Sequence, residues 1–151
     1  MKNERYFDDV KVGDTGVSPE MTVTEEHIMT FAKLTGDFTP VHIDEEYAKT
    51  TPFGTRVAHG LLGLSLTDGL KSQSDLLFQP GMSLGWNWDF AGSIKINDTV
   101  HVKFHVESMR KSNSRPGWGI LVLPSELINQ HGQVVQRGQH KLMIPCRPQS
   151  A

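Results

Sequence analysis

The chain predicts an α+β domain, an antiparallel sheet wrapped around a long central helix, on three observations. Apolar residues recur at helical spacing in the first half, at Ile28, Phe31, Ala32 and Leu34. A leucine-rich run from Gly60 to Leu70 is apolar on most sides of a helical wheel, the mark of a buried helix. From Ser83 onward the period changes to two: Val100, Val102, Phe104 and Val106 alternate with His101, Lys103, His105 and Glu107. Strand patterns in succession with short turns between them imply antiparallel neighbours.

In order, Tyr6 to Gly13 is an Asp-rich entry anchored by Phe7, Val10 and Val12. Met21-Thr22-Val23 predicts a short strand. Thr24 is a good N-cap, with Glu25 and Glu26 placed well for the helix dipole, and Gly36 is a helix stop. Asp44 caps one or two further turns through Lys49, and Thr51-Pro52-Phe53-Gly54 is a loop. Gly63 and Gly69 each cost about 1 kcal/mol inside the Gly60–Leu70 helix, which makes sense if another backbone passes close by. Trp86, Trp88 and Phe90 predict a strand with one aromatic face. Asn113 to Gly117 is a turn, and strands are expected over Gly119–Leu127 and Val134–Ile144, joined around His131-Gly132.

With 151 residues, 37% hydrophobic and 21% charged, a single globular domain over 1–146 is expected, with 147–151 as a disordered tail. Fifteen basic residues against seventeen acidic ones give a net charge of −2 and no basic stripe, which argues against a nucleic-acid partner. No run approaches the roughly 18 apolar residues of a membrane span, and Met1–Arg5 lacks the apolar stretch of a signal peptide. Cys146 is the one cysteine, and there is no CxxC. A cytoplasmic protein is expected.

The segment Thr35-Gly36-Asp37-Phe38-Thr39-Pro40-Val41-His42 is the strongest functional signal. Gly36 closes a helix, and Pro40 removes a donor and pushes Thr39 out of helical geometry. Asp37 and His42 are therefore expected on a rigid irregular loop, outside any helix or strand. Together a carboxylate and an imidazole can take a proton from water and give one to carbon. Taken singly, Asp37 also reads as a turn cap and His42 as a hydrogen-bonded loop histidine. Gly60, at the start of the apolar helix, offers an N–H without an intrahelical partner and room for a carbonyl to approach, or simply permits tight packing. His59 beside it reads as structural.

Gly36-Asp37-Phe38-Thr39-Pro40-Val41-His42, then Asp44-Glu45-Glu46-Tyr47-Ala48, then Ala58-His59-Gly60-Leu61-Leu62 resemble the MaoC-type hydratase family, which includes the R-specific enoyl-CoA hydratases. Phe7-Asp8-Asp9-Val10-Lys11-Val12-Gly13-Asp14 and Ile96-Asn97-Asp98-Thr99-Val100 extend the likeness over nearly the whole chain. The resemblance implies a hot-dog fold, usually paired into dimers, and a hydro-lyase adding water to, or removing it from, a 2-enoyl thioester of coenzyme A. By it Asp37 and His42 are the catalytic pair and the Gly60 N–H is the oxyanion-hole donor. No metal or redox cofactor is expected; the partners are an acyl-CoA substrate and a second copy of the chain. Thr39 stands where the family usually has Asn, a shorter group with no amide donor pair.

Other readings stay open. A hot-dog thioesterase would use a similar acid and oxyanion hole, and a non-catalytic acyl-thioester binding subunit would need neither. His42 with Asp44 and Glu45, or His27 with His59, could be assembled into a metal site, although no HExxH or CxxC spacing supports it. Arg56, Lys71, and Arg110-Lys111 with Arg115 could meet the phosphates of coenzyme A or be ordinary solvated charges. No GxSxG elbow points to a serine hydrolase.

Overall fold

The alternation seen around residue 100 forms one strand of a seven-stranded sheet in the computed structural model, which describes residues 3–149. The strands are β1 (Glu4–Arg5), β2 (Thr15–Val17), β3 (Met21–Thr22), β4 (Leu77–Phe78), β5 (Met82–Phe90), β6 (Thr99–His105), β7 (Ser108–Lys111), β8 (Trp118–Ile128) and β9 (Val134–Pro145). The helices are α1 (Glu25–Thr35), α2 (Pro40–Ile43), α3 (Glu45–Ala48) and α4 (Gly60–Lys71). The main sheet runs β2-β6-β8-β9-β5, all antiparallel, with β3 also on β6 and β7 also on β8. The hot-dog arrangement follows, with α4 packed against the sheet.

Burial follows the period of two. Val100, Val102 and Phe104 are buried while Lys103 and His105 are exposed. Leu121, Leu123 and Leu127 of β8 and Val135 and Ile144 of β9 complete the floor on which Leu62 and Leu70 of α4 and Ile28 of α1 pack. Full burial of one such side chain is worth about 1.5–3 kcal/mol.

Several elements differ from the sequence expectation. Apolarity on most sides does not bury α4 on most sides: Leu62 and Leu70 are buried, but Leu61 is 61% exposed. Gly63 is required by the Gln136 side chain, which a Cβ would meet at 2.3 Å, rather than by a passing backbone, and a Cβ on Gly69 would meet nothing. β1 pairs in parallel with β4, two residues each, and β2 extends the edge beside β6; neither short strand carries a pattern of its own. Arg147, placed in the disordered tail, is tied down: its N–H donates to Asp8 Oδ2 and its guanidinium pairs with Asp9. Ser150 and Ala151 lie outside the described residues. Among those described, no helix is long and apolar enough to cross a membrane.

Candidate active site

Four local signals set the loop that carries the site. Thr24 caps α1, accepting from the His27 N–H, while His27 Nδ1 accepts from the Thr24 N–H at 3.1 Å. Gly36 ends that helix at φ 82°, its N–H bonded to Ala32 O at 2.8 Å. Asp37 Oδ1 then accepts twice from Thr39, from N–H at 3.1 Å and from Oγ1–H at 2.6 Å. Asp44 caps α3 through the Tyr47 N–H at 3.1 Å. Glu45 accepts from Thr55 Oγ1 at 2.7 Å and pairs with Arg56 at 2.9 Å, and Arg56 also reaches Glu25 at 2.7 Å, tying the loop to the start of α1.

His42 departs from the expected loop setting. It lies in the four-residue helix α2, because Pro40 occupies the first helical position, where a missing N–H costs nothing. Its Nδ1 is 2.7 Å from Val57 O. A carbonyl only accepts, so Nδ1 carries the proton and Nε2 carries the free lone pair. By the same logic His59 Nε2–H donates to Asp37 O at 2.9 Å. The His59 ring stacks on His42 with centroids 3.9 Å apart, and Phe31 packs on its edge at 4.9 Å. His59 is 3% exposed, and its Nδ1 is buried without a partner. It is structural in a specific sense: one ring holds the backbone of Asp37 and the face of His42.

The Thr39 hydroxyl bond, then the Thr39 backbone bond, hold the Asp37 carboxyl below the ordinary carboxylate range, with smaller help from the neighbouring His59 and His42. Asp37 is exposed, so it is an ionised acceptor whose second oxygen remains available. Thr39 therefore keeps the acid in place through a short hydroxyl bond.

One carboxylate oxygen of Asp37 and one ring nitrogen each of His42 and His59 lie within 4.8 Å of one another. The two imidazole planes are only 27° apart, so their in-plane lone pairs run side by side instead of converging as a tetrahedral metal site requires. The two metal groupings suggested by the sequence do not serve one: Asp44 and His27 are spent as caps, and Glu45 is held by Arg56 and Thr55.

Gly60 opens α4, while the N–H groups of Leu62 and Gly63 already bond to His59 O. Its own N–H has no carbonyl four residues back within the helix and sits at the positive end of the dipole. Gly60 and His42 line one cavity of about 440 Å³, with Phe53, Ile94 and Phe90 as apolar walls. A Cβ on Gly60 would meet the Phe90 ring at 2.8 Å.

Nothing in the sequence marks the residue that orients this end of α4. Gln136, fully buried on β9, donates to Gly60 O at 2.9 Å and accepts from Trp88 Nε1 at 2.9 Å. The basic residues divide: the Arg56 guanidinium is committed to Glu25 and Glu45, Lys71 is buried with Ser125 and His140 on its Nζ, and Arg110, Lys111 and Arg115 remain exposed.

Residues 9–117 match the family model described as MaoC like domain. The chain is 31% identical over 143 residues, 94% of its length and 93% of the relative's, to an (R)-specific enoyl-CoA hydratase of Rhodospirillum rubrum. It is 34% identical over 105 residues to a 3-hydroxybutyryl-CoA dehydratase of Methylorubrum extorquens, spanning 69% of this chain and 65% of that protein's length. The solved structure of a MaoC-like dehydratase from Rhodospirillum rubrum superposes with a TM-score of 0.85 at 32% identity, over 96% of this chain and 99% of that one.

Proposed function

The chain belongs to the MaoC-like family, and from that premise we propose that it is a hydro-lyase of acyl thioesters, hydrating a 2-enoyl-CoA or dehydrating the corresponding 3-hydroxyacyl-CoA. The observation that carries this is the Asp37 carboxylate within 4.8 Å of a ring nitrogen of His42, whose ring lines a cavity that also takes in Gly60, the first residue of α4.

In hydration, Asp37 and His42 Nε2 hold a water. Its oxygen forms the new bond to C3 while the pair takes one proton. The π electrons move through C2 onto the thioester carbonyl, and the enolate oxygen lies against the Gly60 N–H. The proton then goes from the pair to C2, on the same face. Gln136 anchors the first carbonyl of α4, at Gly60, and Thr39 and His59 hold Asp37 and His42. Hydration is redox-neutral and both proton positions are supplied by side chains, so the proposed reaction calls for no metal or redox cofactor; coenzyme A enters with the substrate.

The proposed assembly is a homodimer. The outer edge of β5 has no strand partner among the described residues, and an open edge invites pairing. Phe53 and Phe90 leave large apolar surface exposed around the cavity, and Leu61 of α4 is exposed as well. The proposed compartment is the cytoplasm. Light scattering reads the assembly directly, and a monomer at working concentration removes it.

A short-chain enoyl-CoA, followed both by absorbance of the conjugated double bond and by free thiol, tests the activity. Loss of absorbance without thiol is the expected result. Thiol release assigns a thioesterase instead, and no change in either signal leaves a binding role.

A further inference from the structure

The far end of α4 buries a charge that the hydration chemistry does not use. Lys71, the last residue of the helix, is 8% exposed. Its Nζ lies 3.2 Å from Ser125 Oγ and 3.2 Å from His140 Nδ1. It also sits 4.8 Å from the centre of the Phe104 ring and 5.0 Å from that of Trp86. Ser125 passes its own proton to Leu123 O at 3.0 Å, which leaves its lone pairs toward the amine. His140, buried and stacked on Trp86 at 4.0 Å, bonds Ser83 Oγ through Nε2 at 2.7 Å.

All of these partners are neutral. Among the described residues no carboxylate comes within ion-pair distance of Lys71. An ammonium has three donors, two are engaged here, and taking the charge out of water is costly unless an anion compensates it. Burial pulls the Lys71 amine down to about 7, against a smaller opposing pull from Asp68, and burial with the Lys71 charge brings His140 down to about 3.

Lys71 and His140 line a cavity of about 240 Å³ whose remaining wall is largely apolar, with Leu76, Leu77, Phe78 and Leu142 in it. It shares no lining residue with the cavity holding His42 and Gly60. We infer that this cavity binds the carboxylate end of an aliphatic chain, the carboxylate pairing with Lys71 Nζ and the chain lying on the leucines and Phe78. Two features narrow the ligand. Asp68 and Glu4 also line the cavity and are in reach of water, so a single negative charge enters against less repulsion than a phosphate or dicarboxylate. The volume lies below the ~300–1,000 Å³ of pockets for drug-sized ligands, which suits a short chain.

The site is independent of the hydratase reading, and calorimetry tests it without turnover. Hexanoate and the uncharged hexanamide are titrated into the full chain at pH 6. The expected result is saturable binding of hexanoate and at least about tenfold weaker binding of hexanamide, the scale of one charge-assisted contact. Lys71→Met, which keeps length and apolar bulk, should abolish the preference; the comparison of the two ligands on the unaltered protein stands even if that variant misfolds. Raising the pH from 6 to 8.5 should weaken hexanoate binding as the amine loses its proton; His140 from β9, Asp68 from α4 itself and Glu4 from β1 are the other titratable groups lining the cavity. Two sources of the carboxylate are separable. If hexanoate competes with turnover of an enoyl-CoA whose chain ends in a carboxylate, the site reads the end of the substrate. If hexanoate binds without competing, the site takes a free acid. Equal affinity for hexanoate and hexanamide, no saturable binding of hexanoate, or full binding by folded Lys71→Met would overturn the inference.

Discussion

The two ends of α4 handle polarity in opposite ways. At Gly60 the helix begins with an N–H that has no intrahelical partner, on a cavity that it shares with the half-buried His42. About 17 Å away, at ~1.5 Å per residue, the same helix buries an ammonium among two aromatic rings, a serine and a neutral histidine. At the first end each group has a partner that holds it: Thr39 for Asp37, Val57 O for His42, Asp37 O for His59. At the second the charge has hydrogen-bond acceptors and no counter-ion. A polar group set for chemistry is held by neutral donors and acceptors and left one open position, whereas a charge in an apolar wall is a standing cost that a ligand or a titration can relieve.

The largest expected effect lies at the first end. Asp37→Asn and His42→Ala should each lower turnover by roughly 10²–10⁴, with the fold retained by circular dichroism and the double variant little worse than either single one. Asn caps a turn as well as Asp does, so a folded Asp37→Asn protein of near-full activity would sink the acid–base assignment.

Next comes Gly60→Pro, which deletes the proposed oxyanion donor at a position where a first-turn proline is tolerated. Its ring would also meet Phe90, so the comparison belongs in a Phe90→Ala background. There turnover should fall by roughly 10²–10³. Parity with Phe90→Ala alone moves the oxyanion hole elsewhere.

At the second end the expected change is in stability. The Lys71 amine sits at about 7 folded and near its ordinary 10.5 unfolded. Between those values the unfolded chain binds the extra proton, so stability rises with pH across that window, and the buried charge costs most below pH 7. Lys71→Met should remove the slope and raise stability at pH 6 by about 1–4 kcal/mol. Denaturant melts at pH 6 and pH 10 check it; an unchanged slope means that the amine is solvated.

The smallest effect is expected at Thr39→Val. The backbone bond to Asp37 survives and the 2.6 Å hydroxyl bond is lost, so the Asp37 carboxyl moves up toward the ordinary range. The acid limb of kcat/KM should shift to higher pH, with turnover lower by up to about tenfold, and Thr39→Asn should restore much of it. An unmoved acid limb shows that this limb is not Asp37.

Local signals carried far. Thr24, Gly36 and Asp44 act as the caps and stop that their chemistry predicts, and the alternation through Val106 marks β6 to within a few residues. Asp37 and His42 were legible as a pair because they flank a proline six residues past a regular helix pattern's last apolar face. The helical setting of His42 was not, since Pro40 is equally compatible with a loop and with a first helical turn. Leu61 was misjudged as buried because a helical wheel shows where apolar groups point and not how far the sheet reaches around them.

What the sequence by itself determined is therefore local: the stop, caps and loop around Asp37, the glycine at the start of α4, and the two-residue period of the sheet. Each depends on backbone preferences and side-chain periodicity within about ten residues. Only the tertiary structure decided which groups meet across the chain. His59 comes to rest on His42 and Asp37, Gln136 reaches Gly60 from 76 residues away, and Lys71 is buried by His140 from 69. The last two contacts join α4 to β9, and the energies of all three come from burial and long-range hydrogen bonds that no local pattern encodes.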